Sequence, residues 1–208
     1  MSNPTIRPDF GTIGSTVSAC EGVVNYLKPY LEAAGAGADR LIDRVQTVER
    51  HIGRFNEPDD IKYWMGNRDG GIRICAQRVV SMRREGSLIG TIEFVAFVFC
   101  ADQFGYAKDQ RAEVIAGRLA TALMLTGGWR GTGAYKAPEG VRMDNLYTTG
   151  IDKLGLAIWS VTWRQDWPLD NPIDPATLDD FLRMNWRAEQ GDGAPVCEAD
   201  ITVPGPTP

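Results

Sequence analysis

Apolar residues recur along this chain with two different periods, and each change of period marks an element. Val17, Cys20, Val24, Leu27 and Leu31 fall at three- and four-residue steps, which puts one apolar face on a helix. Pro29 stands late in that stretch, placed to end or kink it. Over residues 39–55 the period is ambiguous. Leu41, Val45, Val48 and Ile52 are helically spaced, yet residues 44–49 (RVQTVE) also suit a strand. Residues 71–80 alternate Ile72, Ile74 and Ala76 with Arg73, Cys75 and Gln77, the pattern of a strand with one apolar face. Residues 88–100 (LIGTIEFVAFVFC) form the longest β-rich run. Between these two strands, residues 82–87 carry Arg83, Arg84, Glu85 and Gly86 and predict a hairpin turn.

Helical spacing returns over residues 108–126, where Val114, Ile115, Leu119, Ala122 and Leu123 mark an apolar face. Asp109 near its start complements the helix dipole, and Gly127-Gly128 supplies a stop. A long Gly-rich connection over residues 129–147 has room for a short strand at 141–147. Residues 154–167 (LGLAIWSVTWRQDW) then predict a last strand, with Trp159, Trp163 and Trp167 alternating with polar positions. Pro168, Pro172 and Pro175 forbid its continuation, because proline gives no amide donor to a ladder. Asp174 as N-cap and Pro175 at the first helical position predict a short helix over residues 176–189. That helix would carry Leu178, Phe181, Leu182 and Trp186 on one side, ahead of a Gly/Pro-rich tail. The expectation is an α+β domain over residues 16–168, with a mostly antiparallel sheet of about four strands packed on two helices. An extended N-terminal arm (1–15) and a Pro-rich C-terminal extension (169–208) flank it. Phe94, Val98, Leu119 and Ile158 are expected between sheet and helices.

Composition narrows the chemistry. The 208 residues suit one domain plus tails, and 43% hydrophobic with 24% charged residues is ordinary globular usage. A net charge of -5 argues against a protein that binds nucleic acid by broad phosphate neutralisation, though it leaves room for a local basic patch. Cys20, Cys75, Cys100 and Cys197 are widely spaced, with no C-x-x-C and a single histidine, His51, so no zinc set is assembled. Cys20, on a helix face, and Cys75 and Cys100, in apolar runs, read as small buried hydrophobes. The first ten residues are polar and Pro-containing rather than basic then apolar, which is not a secretory pattern. The longest apolar run, 94–101, falls far short of the about 20 residues that cross a bilayer. A soluble protein of a reducing compartment is expected.

Two motifs invite catalytic readings and fail on geometry. Residues 127–133 (GGWRGTG) keep the glycine spacing of a phosphate loop, but Ala134-Tyr135 replaces Lys-Ser and the loop follows a helix instead of opening one. Pro58-Asp59-Asp60-Ile61-Lys62 has the letters of a magnesium nuclease motif, yet Asp59 and Asp60 are consecutive where the chemistry needs carboxylates on neighbouring strands. A nuclease using Asp59, Asp60 and Lys62 stays as the alternative from another class. His51 has no nucleophile motif beside it. No catalytic, cofactor or metal residue is therefore assigned, and no enzyme activity is expected. The tryptophans are the unusual feature: for Trp167 and Trp186, packing within the chain and docking on a neighbour stand side by side. The candidate assembly contacts are Trp167, Leu178, Phe181, Leu182 and Trp186, with Trp129 and Arg130 of the glycine loop.

This order of elements resembles a known family, the tail terminator or tail-completion proteins of Mu-like contractile-tailed bacteriophages. The likeness covers about residues 16–168. It rests on the N-terminal helix, the Val45-Gln46-Thr47-Val48-Glu49 segment, the strand around residues 72–76 and the long strand 91–100 ending in Ala101-Asp102-Gln103. The helix ending at 119–125 and the last strand 154–163 complete it. It is a pattern of elements, not an invariant motif, and it does not include the arm or the extension. The resemblance favours strand over helix for residues 45–49. It implies a virion protein at the tail–neck junction, made in the host cytoplasm, that forms a homohexameric ring capping the head-proximal end of the tail tube. Its partners would be its own copies, the tube protein, the sheath protein and a neck or connector protein, with DNA only passing through and no membrane. Another neck or head-completion adaptor is the alternative within that class.

Overall fold

The computed structural model describes residues 12–33, 42–51, 70–103, 105–125 and 127–170, and the backbone of residues 183–188 and 197–202. Helix α1 (Thr16–Leu31) starts at a capping box in which Ser15 Oγ accepts from Ser18 N–H and Ser18 Oγ accepts from Ser15 N–H, each at 3.3 Å. Pro29 sits in the last turn without stopping the helix, which ends two residues later. The carbonyls left open there are taken by Arg44, whose Nη1 donates to the Pro29 oxygen at 3.0 Å and the Glu32 oxygen at 3.3 Å.

The ambiguous segment forms strand β1 (Thr47–Arg50), with Val45 and Val48 both buried. The local choice is made by Glu32, whose carboxylate accepts the Val48 amide at 2.8 Å, and by a parallel ladder from Thr47↔Gly71 to Arg50↔Ile74. That ladder joins β1 to β2 (Gly70–Glu85), which turns at Gly86 into β3 (Ser87–Ala101). The strands reach further into the expected turn than their hydrophobic pattern suggests, because Gly86 takes φ +77°, where glycine bears no Cβ penalty. Helix α2 (Lys108–Leu123) begins where Asp102 Oδ1 accepts the Lys108 amide at 2.7 Å. Ala112, Ile115, Ala116, Leu119, Ala122 and Leu123 form its buried stripe, whereas Val114, expected on that face, is exposed. A helical turn of 3.6 residues carries position 114 off the stripe that 112, 115 and 119 define. Strand β4 (Glu139–Asn145), a one-and-a-half-turn helix α3 (Thr149–Lys153) and strand β5 (Leu156–Pro168) follow.

The sheet is α+β in character, as expected, with five strands in the order β1-β2-β3-β5-β4, antiparallel except for the β1–β2 pair. Its inner face, packed on α1 and α2, carries Ile72, Ile74, Ile92, Phe94, Ala96, Val98, Val161 and Trp163, all buried. Phe94 and Trp163 stack across β3 and β5 with ring centroids 5.4 Å apart. The outer face changes along its length. At one end Phe99, Leu156 and Ile158 form a second small cluster with Leu146, Ile151 and Leu154 of the α3 region. Ile158 is thus buried as expected but on the other side of the sheet, because it stands opposite Phe99 rather than beside Phe94. At the other end the same face carries Glu93, Arg164, Thr91 and Asp166.

The chain divides into two compact units, Met1–Asn171 and Pro172–Pro208. In the second, residues 183–188 correct the sequence reading: instead of a helix over 176–189, Arg183–Ala188 is strand β6, paired antiparallel with β7 (Cys197–Thr202). In sequence Met184, Trp186 and Ala188 alternate with Arg183, Asn185 and Arg187, a period of two that the helical spacing of Leu178, Phe181 and Leu182 had masked. Those three residues lie outside the described ones.

Gly22 gives a direct test of this packing. A Cβ there would lie 2.6 Å from Cη2 of Trp167, a rigid ring with no flexible end to yield. Alanine raises helix propensity by about 1 kcal/mol over glycine, but overpacking a filled core costs about 1–3 kcal/mol. Gly22→Ala is therefore expected to lower stability in denaturant titration, and a gain in stability would show that α1 does not rest on Trp167.

Candidate functional site

The β1 ladder ends at Ile74, after which the His51 amide donates to the Ile74 carbonyl at 2.8 Å. From Ala76 to Glu85, β2 pairs only with β3 among the described residues, which place no strand on its other edge. Register shifts between Ala76 and Arg78 and between Val79 and Ser81 insert extra residues, Gln77 and Val80. Bulges of this kind twist an open edge and blunt it against indiscriminate pairing. They also turn side chains outward: Val80 is 44% and Met82 56% exposed, flanked by exposed Arg78 and Arg84. The far edge of the sheet offers a different surface. There the C-terminal turn of α2 and strand β4 border an open groove of about 780 Å³, lined by Thr121, Met124, Val141 and Met143. Met124 is 63% exposed.

The hairpin is anchored by a polar cluster near its turn. Asp166, only 8% exposed, accepts from Arg83 Nη2 at 2.8 Å and from Thr91 Oγ1 at 2.6 Å, with Lys136 Nζ 3.6 Å away. Arg83 Nε bonds Glu85 at 2.7 Å, and the Tyr135 hydroxyl donates to the other Glu85 oxygen at 2.8 Å. The Tyr135 amide closes the circuit on the Asp166 carbonyl at 2.8 Å. Burial pushes the Asp166 carboxyl upward, but the hydrogen bonds from Arg83 and Thr91 and the charges of Arg83 and Lys136 outweigh it and hold it below the usual aspartate range. The hydrogen bond from Arg83, then that from Tyr135, lowers Glu85 in the same direction.

The Gly-rich loop has a packing role. Gly127, Gly131 and Gly133 take positive φ, and the amides of Gly128, Arg130 and Thr132 are spent on carbonyls of the loop and the preceding helix end. Amides turned inward in this way do not form a phosphate cradle. The loop exists to seat Trp129, whose ring lies 4.0 Å from that of Tyr26 and whose indole N–H donates to the Leu123 carbonyl at 3.1 Å.

The expected contact residues separate accordingly. Trp129 and Trp167 are 5% and 4% exposed within the subunit's own core and present little surface to a neighbour. Trp167 packs on Gly22 and Gly133, Trp129 on Tyr26. Arg130 is exposed. Leu178, Phe181 and Leu182, and the nuclease-like Asp59, Asp60 and Lys62, lie outside the described residues, and Trp186 belongs to β6. Cys20, Cys75 and Cys100 are buried thiols, with Cys20 pushed up to about 12 by burial. No three His, Cys, Asp or Glu side chains are grouped to hold a metal among the described residues, and no described helix is long and apolar enough to cross a membrane. The anchoring cluster escaped the sequence reading, although Asp166 inside the tryptophan-rich run RQDW is a usable signal: a carboxylate in a strand that is otherwise buried needs a cation. Compared with known proteins, the chain matches no family model and no curated sequence.

Asp166→Asn tests the anchor. At neutral pH the variant is expected to lose about 1–3 kcal/mol, the cost of breaking a partly buried charged hydrogen-bond pair. Because the folded-state pKa of Asp166 is lowered, its contribution is complete above the ordinary aspartate value and is lost as pH falls through the folded value. The gap between wild type and variant should therefore close on acidification. A gap that stays constant from neutral to acid pH would show that the carboxylate charge is not what holds the hairpin.

Proposed function

We propose that this chain is a structural subunit of the tail-terminator type, six copies of which close into a ring at the head-proximal end of a phage-type tail tube. The observation that carries the reading is the pairing of unlike surfaces at opposite edges of one sheet. One edge projects Val80 and Met82 from a braced hairpin, and the other holds the groove at Thr121, Met124, Val141 and Met143. A closed ring of identical subunits requires such heterologous contacts, in which each copy offers two different complementary faces. The order of α1, β1, the β2–β3 hairpin, α2, an irregular connection and β5 supports the same reading, since it is the order the resemblance implies. An acidic chain also suits a channel through which DNA must slide without being held.

In this role the ring stops tube growth and joins the tube and sheath to the neck. Native mass spectrometry of the protein bound to purified tube ends is expected to count six copies. A dimer or trimer there would overturn the terminator reading.

A further inference from the structure

Beside the groove, on the outer face of the sheet, four strands contribute one charged side chain each to a pocket of about 280 Å³: Arg78 from β2, Glu93 from β3, Arg142 from β4 and Arg164 from β5. The pocket exists because β4 is bulged. Its register with β5 shifts between Glu139 and Arg142, and Gly140 at that point takes φ +63°. The bulge puts Arg142 opposite Thr162, on the same face as Arg164. Glu93 serves two of the arginines, with one oxygen 3.1 Å from Arg78 Nη2 and the other 3.1 Å from Arg164 Nε. Arg78's hydrogen bond first, and Arg164's after it, keeps this carboxylate below the usual glutamate range and so ionised.

Each guanidinium has five N–H donors, and a single carboxylate uses only a few of them. The Arg142 guanidinium makes no hydrogen bond or ion pair with the described residues. The carboxylate of Glu139, directly opposite Arg164 in the ladder, makes none either. Three cations and one bound anion thus converge in a chain whose net charge is -5. Like charges are gathered here against the balance of the whole molecule, in forks whose planar geometry matches an oxyanion.

Two features select the source of that anion. Glu85, Glu93, Glu139 and Asp166 interleave with the arginines along this part of the protein, which breaks the continuous basic track that a nucleic-acid backbone needs. The pocket also shares Gly140 with the groove proposed above to seat a neighbouring copy, and such a copy carries more acids than bases, 27 Asp and Glu against 22 Lys and Arg. We infer that the Arg78–Arg142–Arg164 pocket receives an exposed carboxylate of a second copy of this chain. This inference rests on the assembly reading and names the polar contact within it.

The test uses the full chain with Arg142→Ala and Arg142→Glu, variants that break no ion pair among the described residues, and Lys153→Glu as a control for added negative charge at an exposed site. Sedimentation velocity over a concentration series, at low and high salt, reads self-association, and thermal melting checks the fold. Wild type is expected to associate more weakly as salt rises. Arg142→Ala should weaken association by roughly tenfold, the loss of one close interfacial charge pair, and Arg142→Glu should weaken it further. Lys153→Glu should associate like wild type. If both Arg142 variants associate like wild type while rings still form on tube ends, the pocket inference falls and the assembly reading stands. If wild type remains single both in solution and on tube ends, both fall. If Arg142→Ala leaves self-association intact but abolishes binding of a short DNA duplex, the pocket belongs to phosphate and the inference is overturned.

Discussion

Everything in the larger unit is referred to strand β3, which is buried on its helix-facing side, partly covered on the other, and paired along its length with β2 and β5. Ile92, Phe94, Ala96, Val98 and Cys100 meet the helices, while Val95 and Phe99 fill the outer side. Because side chains alternate, a slip of one residue would drive Glu93 into the helix-facing core and turn Phe94 outward. The stack of Phe94 on Trp163 fixes that register against β5, and the register in turn decides where every polar group of the outer face emerges.

The change of character along the outer face follows from this. Where α3 covers the sheet, the outer positions are Phe99, Leu156 and Ile158; where it does not, they are Glu93, Arg164, Thr91 and Asp166. Two carboxylates organise the charged end. Asp166 ties the hairpin to the connection after the Gly-rich loop through Arg83 and Tyr135, and Glu93 gathers Arg78 and Arg164. A hairpin whose bulged edge meets no described strand would otherwise be free to fray. These bonds make it a prepared surface, which reduces the ordering cost of docking it against another molecule.

The fold class and most elements were legible in the sequence, for reasons that particular residues make plain. The run at 88–100 is too apolar and too rich in β-branched and aromatic residues to be anything but a buried strand, and the stripe from Ala112 to Leu123 sits between clear boundaries. What local pattern leaves open or misses is decided at a distance in sequence. Periodicity leaves residues 47–50 between helix and strand, the resemblance favours strand, and β2 supplies the parallel partner; residues 183–188, read as helix, are a strand because β7 pairs with them. For Trp167, packing within the chain and docking on a neighbour stand side by side in the sequence because its proline-flanked position suggests little core; Gly22 of α1 makes room for it inside the subunit, as Tyr26 does for Trp129. The polar cluster needed Arg83, Thr91, Tyr135 and Asp166 together, and no local spacing links those four.

The central claim is that the distal β2–β3 hairpin is a built contact surface for another copy. Amide hydrogen exchange, compared between the free chain and the chain assembled on tube ends, tests it most directly. Residues 77–85, whose outer edge meets no strand among the described residues, are expected to slow markedly on assembly, together with residues 139–143 at the opposite edge, while the buried stripe of α2 stays as it was. Assembly that protects other segments and leaves both edges exchanging at the free rate would contradict the account.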